Sequence, residues 1–517
     1  MAAAPGVSRS INFAKDQTLT ARPANMRLLL LALAVAAIGL LLGVLLTVRS
    51  LPLEGGAVAV VAFGLLYLYL DRNYTPGFLI GPSTYLYSIH AVGYAIGPLA
   101  QRYVLQAERF DQEGMVMAQW GAVLGLATYA LVYGPVFRVV VRVRRGKGPR
   151  PAASTGSRWM GYTVLLGATT LLLLLHTFGT VGGRIGGSPI GVSTFSLMLI
   201  SSFWYVQIVA FFFLGFVAVR RSGFTMLLAV VVYVAYAAFE TLEGNRGPAV
   251  SALIMFANGA VWAGFSVRKA IVAVAASVVL FLSIGGVVDL YRSVTTRTQY
   301  DAGLSARAAA FSDASDAIRS RAADGTANAY QAVIYAASAI VVDQVMILTP
   351  DVIPYARFED LSALFYIYVP KVFAPNRPEI DDGNLTAAKY GSYSPGSFYY
   401  TPSVGEGYRR FGWLGIPIMY GLSALVFGTT LGLCWAKRHK RAWMALLAFL
   451  VTQAPGVWGF TLNYLFYFAL FYVPKYYLYF LVLSAAQDVL RFSPSFTAQS
   501  TKPQAWPAER IRAVGRS

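Results

Sequence analysis

The chain has 517 residues, of which 57% are hydrophobic and only 13% are charged, and its mean hydropathy is +0.56. A soluble core cannot bury this much apolar surface, so the composition excludes a soluble protein and predicts a polytopic membrane protein. The single cysteine, Cys434, excludes a disulfide framework, and the three histidines lie far apart in the sequence. We therefore expect no protein metal site and no cofactor.

Apolar runs of about 20 residues, the length that crosses a bilayer as a helix, occur at twelve places. They lie at 28–48, 51–70, 77–100, 115–137, 159–179, 195–219, 224–240, 248–267, 270–288, 411–436, 443–462 and 464–486. Because backbone hydrogen bonds must close within each segment in lipid, these runs predict helices rather than strands. The predicted fold is all-α, with twelve transmembrane helices.

A long polar insert, residues 289–410, separates predicted spans 9 and 10. It holds 11 of the 42 Lys and Arg residues and 13 of the 23 acids. Residues 304–323 predict a surface helix, and the apolar run 326–348 predicts a helix that lies on the outer membrane interface, because it contains Asn328, Gln331 and Asp343. The alternative is that this run crosses the membrane. The remaining divisions are a tail at 1–27, spans at 28–288, spans at 411–486 and a tail at 487–517.

The number of Lys and Arg residues alternates between high and low in successive loops. One set of loops and both tails hold 25 of them, whereas the five short loops on the opposite side hold only five. Since cytoplasmic loops carry the excess of positive charge, both termini are predicted to be cytoplasmic and the insert is predicted to face outward. The net charge of +19 then reflects topology and contact with anionic membrane lipids rather than nucleic-acid binding.

The second half of the insert is rich in Tyr, Pro, Gly and Arg. Prolines fix an extended path at 370–378, a Tyr-rich stretch follows at 390–402, and a Gly-rich segment occupies 405–415. Aromatic faces stack on sugar rings and guanidinium groups bind phosphate oxygens, so this composition favours recognition of a glycan diphosphate. The alternative is a polar loop that only folds over the helices.

These segments resemble those of the Wzy-type oligosaccharide repeat-unit polymerases. The resemblance is carried by residues 370–378, by the Gly-Glu-x-Tyr-x-x-Phe-Gly-x-x-Gly pattern at 405–415, and by the Arg-bearing turn at 244–247, which is also similar to a turn of the related O-antigen ligases. The chain has Arg377-Pro378 where family members often have Lys-Pro. It also has Glu406 near the place where the ligases carry a histidine, which favours a polymerase.

The resemblance implies transfer of a growing glycan from undecaprenyl diphosphate to the next lipid-linked repeat unit, at the outer face of a bacterial inner membrane. The expected partners are these lipid-linked oligosaccharides, membrane lipids, a chain-length regulator and a flippase. Glu406 is the predicted base, since a carboxylate must take the proton of the attacking hydroxyl. Cationic side chains would stabilise the departing diphosphate. The predicted catalytic residues are Glu406, Arg246 and Arg292, and the predicted substrate-binding residues are Arg409, Arg410, Arg297, Lys371, Arg377, Tyr408 and Lys475.

Each of these assignments has an alternative. In the alternative for Glu406, its carboxylate pairs with Arg409 or Arg410 and only orients the loop. In the alternatives for the cations, Arg246 pairs with a nearby glutamate, and Lys475 reaches the membrane interface beside a proline kink. At the level of function, an O-antigen ligase-like transferase and a lipid-linked oligosaccharide flippase or other transporter are the alternative classes. A transporter would be expected to place charges deep in several helices, whereas the charged residues here gather at the predicted outer edge.

Overall fold

The computed structural model describes most of the helical part of the chain. The described residues are 26–103, 112–144, 161–170, 194–220, 223–242, 247–277, 309–314, 316, 340–359, 361–366, 369, 389–390, 402–459 and 461–492. Within these ranges the regular structure is helical, and no β-strand occurs apart from one isolated bridge between Pro76 and Phe78. The described residues therefore confirm the predicted helical class.

The α-helices of the described residues are α1 (Met26–Val48), α2 (Pro52–Val61), α3 (Gly64–Tyr74), α4 (Pro82–Ala91), α5 (Gly97–Tyr103), α6 (Gln112–Arg144), α7 (Thr194–Arg220), α8 (Gly223–Leu242), α9 (Gly247–Trp262), α10 (Ile340–Leu348), α11 (Ser403–Phe411), α12 (Gly415–Ala436), α13 (Arg441–Gln453), α14 (Leu462–Tyr467) and α15 (Val473–Phe492). Residues 161–170 and 267–277 are also helical. Short π-helical turns join α4 to α5 and α14 to α15.

Six helical segments of the described residues are long and apolar enough to cross a bilayer. They are Met26–Val48, Pro52–Tyr74, Gln112–Arg144, Gly223–Thr241, Ser403–Ala436 and Leu462–Val489, and the shorter apolar helices Tyr205–Arg220 and Pro248–Trp262 accompany them. Each of these eight segments overlaps a predicted span, and the total of twelve spans stays a prediction. The predicted insert boundary at residue 410 falls within a helical segment that begins at Ser403.

The long helix α6 packs along α12 and also contacts α2, α3, α10 and α11. A Cβ at Gly125 would lie 2.5 Å from the Tyr420 ring, and a Cβ at Gly428 would lie 3.2 Å from the Tyr133 carbonyl oxygen. Residue numbers rise together along this contact, so α6 and α12 run parallel. Their first residues, Gln112 and Gly415, therefore lie at one end of the bundle, which we call the insert end.

Small residues set the other helix pairs as well, as is usual where lipid removes the hydrophobic drive for helices to associate. A Cβ at Gly259 in α9 would lie 1.8 Å from the Phe212 carbonyl oxygen in α7, and a Cβ at Gly215 in α7 would lie 2.1 Å from the Phe256 carbonyl oxygen. The two backbones are thus almost in contact. Here the residue numbers run in opposite senses, so α7 and α9 are antiparallel.

The described part of the run 326–348 is the helix α10. It packs on the start of α6, where a Cβ at Gly114 would lie 2.5 Å from the Asp343 carbonyl oxygen. Val342, Val345 and Met346 are buried. This part of the insert is therefore a packed element of the bundle at the insert end, although an amphipathic helix on the membrane surface was predicted for the whole run.

Replacing Gly259 by alanine tests the contact between α7 and α9. We expect Gly259→Ala to lower the melting temperature of the purified protein, because the added Cβ forces two backbones apart and overpacking costs about 1–3 kcal/mol. Gly223→Ala is the control, since nothing lies within 4 Å of its added Cβ. Equal melting temperatures for the two variants would contradict the packing.

The predicted orientation is tested with single cysteines in a Cys434→Ser background. Val352 is exposed at the insert end and Lys440 is exposed between α12 and α13. A membrane-impermeant maleimide should label Val352→Cys in intact cells, and it should label Lys440→Cys only after permeabilisation. The reverse pattern would invert the topology.

Candidate site at the insert end

The Gly-rich segment predicted from the sequence forms the short helix α11 and a sharp turn into α12. Gly412, the residue after α11, has a φ of +62°, which favours glycine. A Cβ at Gly407 would lie 2.6 Å from the Gly415 carbonyl oxygen, so the two glycines let α11 fold closely against the start of α12. This turn thus explains Gly412 and Gly415 of the sequence pattern.

Three charged side chains of α11 are buried together, and we call Glu406, Arg409 and Arg410 the Glu406 cluster. Arg409 Nε donates to Glu406 Oε2 at 2.5 Å, and Arg410 Nε donates to Glu406 Oε1 at 2.5 Å. The spacing of three and four residues along a helix brings these groups together. Glu406 and Arg410 have no exposed surface, and Arg409 is 3% exposed.

The cluster also fixes parts of the chain that lie far away in sequence. The backbone N–H of Leu462 donates to Glu406 Oε1 at 3.2 Å. Arg410 Nη1 donates to the carbonyl oxygens of Arg357 at 2.9 Å and Glu359 at 2.8 Å. The Ser403 hydroxyl donates to the Val457 carbonyl oxygen. These contacts therefore join α11 to residues 357–359 of the insert and to the connection between α13 and α14.

Arg410 keeps one donor group that these contacts do not use. Within the described part of the chain, its buried Nη2 has no hydrogen-bond partner. Arginine side chains stay charged in proteins. Leaving a charged donor buried and unpaired is costly, so this nitrogen is suited to bind an oxygen of an anion.

The structure places Glu406 in the ion-pairing arrangement that the sequence left open as an alternative. Both carboxylate oxygens accept hydrogen bonds, and two guanidinium groups stabilise the ionised form. A carboxylate held in this way is a poor proton acceptor. The geometry thus gives Glu406 a positioning role for the two arginines, and no contact of the described residues tests the predicted role as a base.

Tyrosine side chains lie around the cluster. Tyr408 is mostly buried with its ring edge-on to Trp413 at 5.7 Å, and it interacts electrostatically with Asp351. The Tyr390 hydroxyl lies 2.9 Å from Thr349 Oγ1 and interacts electrostatically with Arg409. The predicted combination of Tyr and Arg is therefore present in space as well as in sequence.

An exposed ion pair holds Lys389 beside Glu359, whose carbonyl oxygen binds Arg410. Lys389 Nζ lies 2.7 Å from both carboxylate oxygens of Glu359, and this neighbour lowers the pKa of Glu359. The two side chains are 40% and 48% exposed, so the pair contributes at most about 1 kcal/mol to stability. It thus differs in kind from the buried Glu406 cluster.

Lys475, predicted to bind substrate, lies in the last candidate span beside aromatic rings. Its Nζ is 5.5 Å from the ring centre of Phe471, 5.4 Å from that of Tyr472 and 5.7 Å from that of Tyr476. It has no acidic partner among the described residues. Aromatic faces stabilise a cation that is partly removed from water, so the structure brings Lys475 to rings of its own helical segment rather than to the Glu406 cluster.

Five predicted site residues lie outside the described residues: Arg246, Arg292, Arg297, Lys371 and Arg377. The residues that the structure describes include no group of three His, Cys, Asp or Glu side chains suited to a metal ion. Sequence reasoning missed the backbone groups that bind the cluster, the carbonyls of Arg357 and Glu359 and the N–H of Leu462. No sequence signal marks a backbone partner more than fifty residues away.

Fold and site together define a helical membrane protein with a buried, mostly cationic cluster at one end of its bundle. No family model, curated protein or solved structure matches the chain.

Removing the carboxylate tests the cluster. We expect Glu406→Ala to lower the free energy of unfolding by about 3–5 kcal/mol, because it leaves two buried guanidinium groups without their counter-charge. Thermal unfolding in lipid nanodiscs measures this loss. Glu359→Ala, which breaks the exposed pair, is the control, with an expected loss of no more than about 1 kcal/mol. Comparable losses in both variants would show that Glu406 is not a buried anchor.

Proposed function

We propose that this protein is a membrane glycosyltransferase that polymerises undecaprenyl-diphosphate-linked repeat units into a surface polysaccharide, at the outer face of a bacterial inner membrane. The observation that carries the proposal is the buried Arg410 guanidinium, which three hydrogen bonds anchor and whose Nη2 has no hydrogen-bond partner among the described residues. The resemblance of residues 405–415 to the Wzy-type polymerases supports the same assignment.

A diphosphate is the anion that best fits this position. The donor substrate carries its diphosphate at the membrane surface, between a lipid chain and a sugar, and α11 leads directly into a candidate span. Arginine binds phosphate oxygens through a planar set of N–H groups, and its anchoring by Glu406 and two carbonyls removes the entropy cost of ordering it on binding. Arg410 with Arg409 would therefore hold the leaving group.

The proposed reaction forms one bond and breaks one. A hydroxyl oxygen of the acceptor sugar attacks the anomeric carbon of the donor, the bond from that carbon to the diphosphate oxygen breaks, and the diphosphate leaves with the electron pair. Fixed guanidinium groups stabilise the negative charge that develops on it. The hydroxyl proton passes to a carboxylate.

Asp351 is the described carboxylate that best suits this last step. It is exposed, it lies beside Tyr408 of α11, and it makes no ion pair within the described residues. A carboxylate free of counter-ions accepts a proton more readily than one held by two guanidinium groups. In this proposal Asp351 takes the role of base, and Glu406 positions the arginines.

Arg410→Lys tests the proposed function in the host that makes the polysaccharide. Lysine keeps the charge next to Glu406 but lacks the second terminal nitrogen, so we expect loss of long chains on a gel, with a single capped repeat unit retained. Arg142→Ala, an exposed change at the opposite end of α6, should leave the ladder unchanged. Asp351→Asn should also abolish long chains.

The gel separates the alternative functions. Deletion of the gene that leaves one capped repeat unit supports a polymerase, whereas loss of all attached glycan supports a ligase or a flippase. An unchanged ladder after deletion would overturn all three. Long chains at the wild-type level in both Arg410→Lys and Asp351→Asn would overturn the assigned site.

A further inference from the structure

A second group of polar side chains lies at the insert end, where α2 begins and α5 ends. The Tyr103 hydroxyl, at the last residue of α5, donates to Glu54 Oε1 in the first turn of α2. The guanidinium carbon of Arg102 lies 5.5 Å from the centre of the Tyr103 ring. These three residues were not among the predicted site residues.

Two buried atoms of this group have no partner in the described part of the chain. They are Glu54 Oε2, a hydrogen-bond acceptor, and Arg102 Nη1, a donor. Opposite charges on either side of one tyrosine would normally pair, and each unpaired buried group costs free energy. Both atoms are therefore positioned for a ligand that offers a donor and an acceptor together.

The chemistry of the group selects among ligands. The carboxylate of Glu54 repels a phosphate, and one carboxylate is too few for a divalent cation site. A sugar hydroxyl both donates and accepts, and the Tyr103 ring, 56% exposed, offers an apolar face to the C–H groups of a sugar ring. The group therefore fits a neutral carbohydrate.

The position of this group relative to the Glu406 cluster fits a long substrate. A Cβ at Gly56, two residues after Glu54, would meet Gln119 of α6, and a Cβ at Gly121 of α6 would meet Val404 of α11. Gln119 and Gly121 are two residues apart, about 3 Å along a helix axis. The two groups thus lie at a similar height on α6, separated by roughly the 10 Å width of a helix.

We propose that Glu54, Arg102 and Tyr103 form a sugar-binding subsite for the acceptor glycan. This assignment rests on the proposed function, and it places the end of the acceptor at the Glu406 cluster while the rest of the repeat unit extends across α6 to Glu54. Only an oligosaccharide, not a single sugar, can bridge the two groups.

Binding of a soluble glycan tests this subsite without the lipid or the diphosphate. The probe is the repeat-unit oligosaccharide released from its carrier by mild acid, titrated into the purified protein in nanodiscs and followed by saturation-transfer NMR. Glu54→Ala should weaken binding about tenfold or more, since it removes a charged acceptor, and Glu54→Gln should weaken it less because it still accepts from Tyr103. Glu113→Gln, an exposed acid at the same end, is the control and should bind like the wild type.

The outcomes separate this inference from the proposed function. Arg410→Lys should fail to make long chains but should still bind the free oligosaccharide in a way that Glu54→Ala weakens, because the free oligosaccharide carries no diphosphate. Wild-type affinity in both Glu54 variants would overturn the subsite. A wild-type protein that does not bind the oligosaccharide would also overturn it, even if the gel supports a polymerase. Oligosaccharide binding that depends on Glu54, with long chains intact in Arg410→Lys, would keep the subsite as a sugar-binding site and overturn the diphosphate site.

Discussion

The structure at the insert end depends on the burial of one carboxylate between two guanidinium groups. Bringing three charges out of water in a single helical turn is expensive, and it is tolerated only where hydrogen bonds compensate it. Glu406 provides the counter-charge, and the carbonyls of Arg357 and Glu359 and the N–H of Leu462 provide the rest. These backbone partners come from two separate parts of the chain, so forming the cluster also requires those parts to be assembled around α11.

Close helix contacts make this assembly possible. The glycines of α6 and α12 let the two helices run parallel with their first residues at the same end, and Gly407 and Gly415 let α11 fold back at the top of α12. A larger side chain at these points would move α11 away from Leu462, the first residue of α14. The small residues thus determine where the charged ones meet.

Different levels of this structure were predictable to different extents. Apolar runs predicted the helical class and eight segments that the structure describes as helices, because length and composition alone decide whether a segment can cross a bilayer. The spacing of Glu406, Arg409 and Arg410 predicted their pairing as one alternative, since it follows from local helix geometry. The prediction that Glu406 is a base did not include the burial of Glu406, Arg409 and Arg410 together. Nor did the sequence predict the carbonyl partners of Arg410 or the meeting of Glu54 with Tyr103, because contacts between distant segments leave no periodic signal.

Buried polar groups elsewhere in the bundle differ in kind from those at the insert end. Asp71 accepts the backbone N–H groups of Ser83 and Thr84 at 2.9 and 2.6 Å, and Asn258 accepts those of Leu79 and Ile80 at 2.8 and 2.9 Å. In both cases the buried side chain binds backbone N–H groups of a turn, so its role is structural. The hydroxyls of Tyr129 and Tyr133 lack partners within the described residues, but a neutral hydroxyl costs far less to bury than a charge. Charged groups with an unused hydrogen-bonding atom, Arg410, Arg102 and Glu54, instead lie at the insert end, which is where the proposed function places the lipid-linked glycan.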